Sequence, residues 1–165
     1  MGPPRPFQAG FTYLGLLVTV VVIGLMLTVV SRVWSVTEQR ERETQLLFVG
    51  DQFRAAIGSY FASGRQYPLS LDDLLDDKRS PIPRRHLRRL YFDPMTGATD
   101  WTLVTAPTGG IMGVASKSML TPIKRTGFST DDASFEANDC YCTWQFIYQP
   151  RYYRRNPAVA PAKVQ

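Results

Sequence analysis

The side chains able to do chemistry are few and clustered. Asp131, Asp132 and Asp139 fall in the stretch Asp131-Asp132-Ala133-Ser134-Phe135-Glu136-Ala137-Asn138-Asp139. Oxygens at that density suit a hard cation such as calcium, which takes about six to eight of them. The stretch lacks a fixed ligand spacing, and its competing reading is a solvated loop. Cys140 and Cys142 form a C-x-C pair. Two cysteines and one histidine are too few for a closed zinc site, and two cysteines do not make a disulfide scaffold. On a strand their Cα atoms would stand about 6.5 Å apart, near the upper limit for a bridge. A disulfide here therefore predicts a turn just ahead of the next strand.

Arg84, Arg85, Arg88 and Arg89 make a dense basic patch around His86. It could meet DNA, anionic lipid headgroups, the Asp72–Asp77 stretch or the acidic face of a neighbouring subunit. Strong phosphate binding needs more basic surface than this, and the nearby aromatics are Tyr91 and Phe92 alone. Nucleic acid is not the expected partner; subunit contact or solvated charge fits better. His86 has no serine or cysteine nucleophile beside it in sequence. Lys117-Ser118 follows Ser116 where a phosphate loop needs glycine. The expectation is a chain with no catalytic residues and no nucleotide site.

These residues must be positioned by a small domain. The chain has 165 residues, and nineteen Lys plus Arg against fourteen Asp plus Glu give a net charge of +5, short of a nucleic-acid-binding composition. Leu46, Val49, Phe53, Ile57 and Tyr60 recur at helical steps and define one apolar face. Glu38 and Arg42 form an i,i+4 pair ahead of it. Gly50 and Gly58 weaken this segment as an isolated helix, and Gly64 is its expected stop. After Tyr67-Pro68, Ser70 is placed to cap a short helix over Leu71–Asp77. Asp93-Pro94-Met95-Thr96-Gly97 reads as a turn. Three strands are expected: Trp101–Thr105 with Trp101 and Leu103 on one face, Ile111–Ser116 weakened by Gly113, and Thr143–Gln149 with Trp144, Phe146 and Tyr148 on one face. Residues 151–165 read as a flexible tail.

The N-terminal part has a different solvent in view. Phe11 to Val30 is uncharged and almost wholly apolar. About 20 residues at 1.5 Å rise cross a hydrocarbon core of about 30 Å, and only a helix satisfies its own backbone there. The run is too long for a secretory signal core, and Ser31-Arg32-Val33-Trp34-Ser35 lacks a small-x-small cleavage site. Residues 1–10 are polar or broken by proline, with Arg5 their single charge. The junction reads Ala9-Gly10-Phe11-Thr12-Tyr13-Leu14.

This junction resembles the prepilin signal of type IV pilins and type II secretion pseudopilins. The resemblance implies cleavage by a prepilin peptidase at the Gly10–Phe11 bond and methylation of the new amine on Phe11. Gly10, lacking a side chain, would let an extended backbone pass close to the peptidase. Leu14, Gly15, Leu16, Leu17 and Gly24 would pack the filament core, the glycines allowing close approach. At the fifth position after the cut, where the family usually has a glutamate, this chain has Gly15; some tip-located pseudopilins lack the acid too. Asp93-Pro94-Met95-Thr96-Gly97 with Trp101, and Trp144-Gln145-Phe146-Ile147-Tyr148, resemble the globular part of the major pseudopilins. That likeness implies calcium in the acidic loop as well.

The expected fold is α+β and pilin-like, a long N-terminal helix packed on a small antiparallel sheet. Its parts are a leader at 1–10, a membrane and filament-core helix at 11–31, its amphipathic continuation at 32–62, a periplasmic globular domain at 63–150 and the tail. The resemblance implies a structural subunit of a type II secretion pseudopilus that supports protein export across the outer membrane. It would lie single-pass in the inner membrane, N-terminus cytoplasmic, before extraction into a periplasmic filament. Its partners would be the peptidase, other pilin-like subunits, the lipid bilayer and an assembly platform with a separate ATPase. The alternatives are a minor type IV pilin and an uncleaved, membrane-anchored binding module.

Overall fold

The computed structural model describes residues 9–79 and 81–150; the side chains of residues 9–12 and 27–33 lie outside that description. The expected leader and tail fall on residues outside it, apart from Ala9 and Gly10. One helix, α1, runs Ala9–Gly64. The chain forms two compact units, Met1–Gln39 and Arg40–Gln165.

In the second unit the architecture is α+β: the C-terminal part of α1 lies on a three-stranded antiparallel sheet. The strands are β1 (Thr102–Thr105), β2 (Ile111–Ala115) and β3 (Gln145–Ile147), in the order β1-β2-β3. Leu103 pairs with Val114, and Val114 with Phe146. Leu46, Val49, Phe53, Ile57 and Tyr60 are all buried, as their helical spacing requires. They meet an aromatic core. Phe53 stands edge-on to Trp101 at 5.2 Å, and Phe135 stacks on Trp144 at 5.1 Å. Each large side chain fully withdrawn from water here contributes about 1.5–3 kcal/mol.

Gly50 and Gly58 are docking notches in α1. A methyl group built on Gly50 would overlap the Phe146 ring, and one on Gly58 would stand 2.7 Å from the Tyr148 ring. The glycines that weaken the isolated helix let it seat against the rings of β3 and the residue after it. The same holds in β2. Gly113 is 2.6 Å, by an added Cβ, from the Phe146 carbonyl oxygen, and every residue of β2 is buried. A glycine that weakens an exposed strand is what this central strand uses to admit its neighbour.

Several local expectations change. Trp101 precedes β1 and is buried, whereas Leu103 is 46% exposed and Val104 turns inward. The alternation fails because Trp101 is outside the ladder and the register shifts between Val104 and Thr105. The helix expected over Leu71–Asp77 shrinks to a 3-10 turn, Asp72–Leu74. Ser70 does not cap it. The Asp73 carboxylate accepts the Leu69 and Ser70 N–H groups at 3.0 and 2.9 Å, turning those donors toward itself. Thr143 is not a strand residue but closes a 3-10 turn, Tyr141–Thr143. After α1 the left-handed residue is Arg65, whose N–H donates to the Phe61 carbonyl at 2.7 Å.

Candidate assembly stem and the charged clusters of the globular unit

In the first unit, Tyr13–Met26 is an uninterrupted uncharged stretch of α1, and every residue in it is exposed. Its large side chains, among them Leu14, Leu16 and Leu17, are 42–65% open. Thr19 turns its hydroxyl back onto the Gly15 carbonyl at 2.8 Å, which removes one of the few polar groups from the surface. Nothing lies within 4 Å of a methyl built on Gly15 or Gly24. These expected packing residues are together on one helix. The stretch spans about 21 Å at 1.5 Å per residue. Among the described residues no helix is long and apolar enough to cross a membrane. Gly10 and Phe11 are in the first turn of α1, so Gly10 is helical rather than extended. The first turn of a helix lacks intrahelical acceptors for its N–H groups, so it opens at little cost.

The acidic stretch is not gathered as a set of ligands. Asp132, on the 3-10 turn Thr130–Phe135, is buried against α1, where Arg54 pairs with it and the Ser129 hydroxyl donates to it at 2.8 Å. Arg54 also holds Asp51 at 2.6 Å. Burial pushes the Asp51 carboxyl up, with Asp132 and Asp131 adding to the effect and Arg54 opposing it. Asp139 is exposed and 3.6 Å from Arg125. Among the described residues no group of three His, Cys, Asp or Glu side chains could hold a metal ion. Sequence proximity placed three carboxylates within nine positions, but the turn sends Asp132 inward to a cation and leaves Asp131 and Asp139 exposed.

Cys140 and Cys142 are joined in a disulfide with their Cα atoms 5.2 Å apart. The bridge closes across Tyr141 at the start of the 3-10 turn. Tyr141 is fully buried, and its phenol donates to Glu43 Oε2 at 2.6 Å. Glu43 also accepts the Ile123 and Lys124 N–H groups at 2.9 and 3.0 Å. One buried carboxylate of α1 thus gathers the bridged turn and the loop before it.

A second cluster was not visible in sequence. Asp77 is 2% exposed and accepts a fork from Arg79, Nε to Oδ1 at 2.9 Å and Nη2 to Oδ2 at 2.8 Å. His86 Nε2 is 3.2 Å from Asp77 Oδ2, and His86 Nδ1 is 2.8 Å from the Ser59 hydroxyl. The arginine fork holds the Asp77 carboxyl well below the usual range, against the effect of burial, and the Arg79 N–H and His86 add to it. Arg79 also donates to the Tyr60 carbonyl at 3.0 Å and stacks on the Tyr60 ring at 3.5 Å, closing the end of α1. Ser59, His86 and Asp77 are in nucleophile–base–acid order, a serine reaching His86 from 27 positions away rather than from beside it in sequence. Ser59, however, is interior to α1, where the neighbouring N–H groups serve the helix and none is free for an oxyanion. The arrangement is a charge-assisted tie between α1 and residues 77–86. A cavity of about 290 Å³ opens beside it, lined by Ser63, Gly64, Asp77, Arg79, Pro81 and Arg84.

The tie fixes the arginine patch. Arg84 accepts the Asp77 N–H through its carbonyl at 3.0 Å, and the His86 and Leu87 N–H groups donate to the Leu74 carbonyl, both at 2.9 Å. Leu87 is buried, while Arg84, Arg85, Arg88 and Arg89 are exposed. Among the described residues none of the four pairs with a carboxylate; Arg89 stands over the Tyr91 ring at 5.1 Å. The suggested pairing with Asp72–Asp77 does not form, because Arg79 takes Asp77 and Asp73 caps the backbone.

No protein-family model, curated protein or solved structure matches the chain.

Proposed function

We propose that the chain is a pilin-like structural subunit of a type II secretion pseudopilus, processed at Gly10–Phe11 and assembled through the N-terminal part of α1. The observation that carries this reading is the stem Tyr13–Met26. Fourteen consecutive uncharged residues on one helix are open to the surroundings, and contiguous apolar surface of that extent calls for a lipid or protein cover. The globular unit claims a later part of the same helix for its own core, through Leu46, Phe53 and Ile57. The prepilin-like junction at Gly10 stands directly before the stem. Neighbouring stems, or lipid before extraction, would cover it, with Gly15 and Gly24 allowing close approach. The peptidase, further subunits and an assembly platform with its own ATPase are the partners this role requires. Gly15 in place of the family's glutamate favours a tip or minor position over the repeating one.

The test is intact-mass and N-terminal peptide spectrometry of the protein from native membranes. The expected product begins at methylated Phe11, and Gly10→Val stays at full length. A chain beginning at Met1 in cells with an active prepilin peptidase, or Gly10→Val maturing as wild type does, would overturn processing and favour the anchored binding module.

A further inference from the structure

From Lys78 to Phe92 the chain carries six cations, Lys78, Arg79, Arg84, Arg85, Arg88 and Arg89, and no carboxylate. Arg79 is spent on Asp77. The other four arginines are exposed, with no carboxylate partner among the described residues. The segment is nonetheless held in place. Leu87 is buried, Leu74 accepts two of its N–H groups, and the Asp77–Arg84 bridge closes its base. Apolar side chains stand open on both flanks, Ile82 at 71% and Phe92 at 65%.

We propose that residues 82–92 form a docking surface for an anionic lipid bilayer, the four arginines meeting phosphate groups while Ile82 and Phe92 enter the acyl boundary. Two observations favour lipid over other polyanions. Cations interleaved with open aliphatic and aromatic side chains match a surface that is charged outside and apolar just beneath. Single-stranded nucleic acid stacks successive bases on successive aromatic faces, whereas the Tyr91 ring is half-buried under Arg89 and Phe92 alone is open. The inference does not depend on cleavage at Gly10 or on filament assembly.

The experiment uses the full chain held in phosphatidylcholine nanodiscs, mixed with vesicles and separated by flotation. Vesicles containing phosphatidylglycerol should carry the protein up, and pure phosphatidylcholine vesicles should not. At about fivefold per guanidinium near an anionic surface, the quadruple variant R84S/R85S/R88S/R89S should lose about 100-fold or more in partitioning. All four side chains are exposed, so its melting should match wild type. The pair I82S/F92S keeps every charge and should still lose about tenfold. Equal flotation with both vesicle types, or wild-type flotation of the quadruple variant, would overturn the proposal. So would flotation of I82S/F92S at the wild-type level together with equal retention on polyglutamate or duplex DNA beads, since that pattern belongs to a general polyanion surface.

Discussion

Glu43 and Tyr141 are joined by a 2.6 Å hydrogen bond across 98 positions of sequence, both side chains buried. The carboxylate takes two backbone N–H groups as well, so its loss strands three donors. Glu43→Ala should cost more than Tyr141→Phe, which strands only one group. A buried donor left unsatisfied costs about 1–3 kcal/mol, and the single hydrogen bond about 1 kcal/mol. Urea unfolding of the two variants and the double variant should give a coupling energy of about 0.5–3 kcal/mol. Strict additivity would mean that the pair is not a working contact.

Asp77 makes the fold sensitive to acid. Its carboxyl is depressed in the folded chain, first by the Arg79 fork. The unfolded chain then binds more protons as pH falls. The stabilisation is complete above the unfolded carboxylate range of about 4 and drains away below it. Asp77→Asn should cost about 1.5–3 kcal/mol at pH 7. Its stability curve should approach wild type as pH falls from 4 to 3. Parallel curves across that range would contradict the assignment.

Reduction of the Cys140–Cys142 bridge should have a small global effect. The loop it closes holds three residues, for which chain entropy gives about 1.6 kcal/mol. The local effect should be larger. Hydrogen exchange should rise at Tyr141, whose N–H donates to the Leu120 carbonyl at 3.2 Å, and at Ile123 and Lys124, while the β2 amides stay protected. Unchanged exchange at those three amides would show that Glu43 alone holds the turn.

The two helix notches should respond with different signs. Gly50→Ala drives a methyl into the Phe146 ring, which is locked in the core. Overpacking of about 1–3 kcal/mol should exceed the gain of about 1 kcal/mol in helix propensity. Gly58→Ala meets Tyr148, a half-buried ring beyond the end of β3 that can give way. It should fall within about 1 kcal/mol of wild type. Urea midpoints of the two variants decide this.

What was legible in the sequence follows from the range of each interaction. The buried face of α1 could be read because helical spacing is local, and Phe146 because strand alternation is local too; Trp144 is buried as expected but lies just ahead of β3. Gly50, Gly58 and Gly113 were read as weaknesses; their use as notches depends on rings that arrive from residues 146–148. Ser59, Asp77 and His86 are far apart in sequence, and no local pattern announces that they meet. In the acidic stretch, likewise, the partner of Asp132 is Arg54, on another element, and nearness in sequence says nothing of it. Leu103 was misplaced by one assumption, that alternation extends through Trp101. The uncharged run Phe11–Val30 was legible from local composition alone; the exposure of Tyr13–Met26 was not.

The seat of Phe146 against Gly50 also has a mechanical side. A helix drawn along its axis must slide past the sheet that it lies on. Any axial displacement would press the ring out of the gap at Gly50 toward the residues one turn away on the same face, Leu46 and Leu47 or Phe53 and Arg54. The pairing is a detent: it resists axial sliding by steric interlock, which solvent and salt do not screen. A pull applied along α1 would therefore reach β3 through the Phe146 ring.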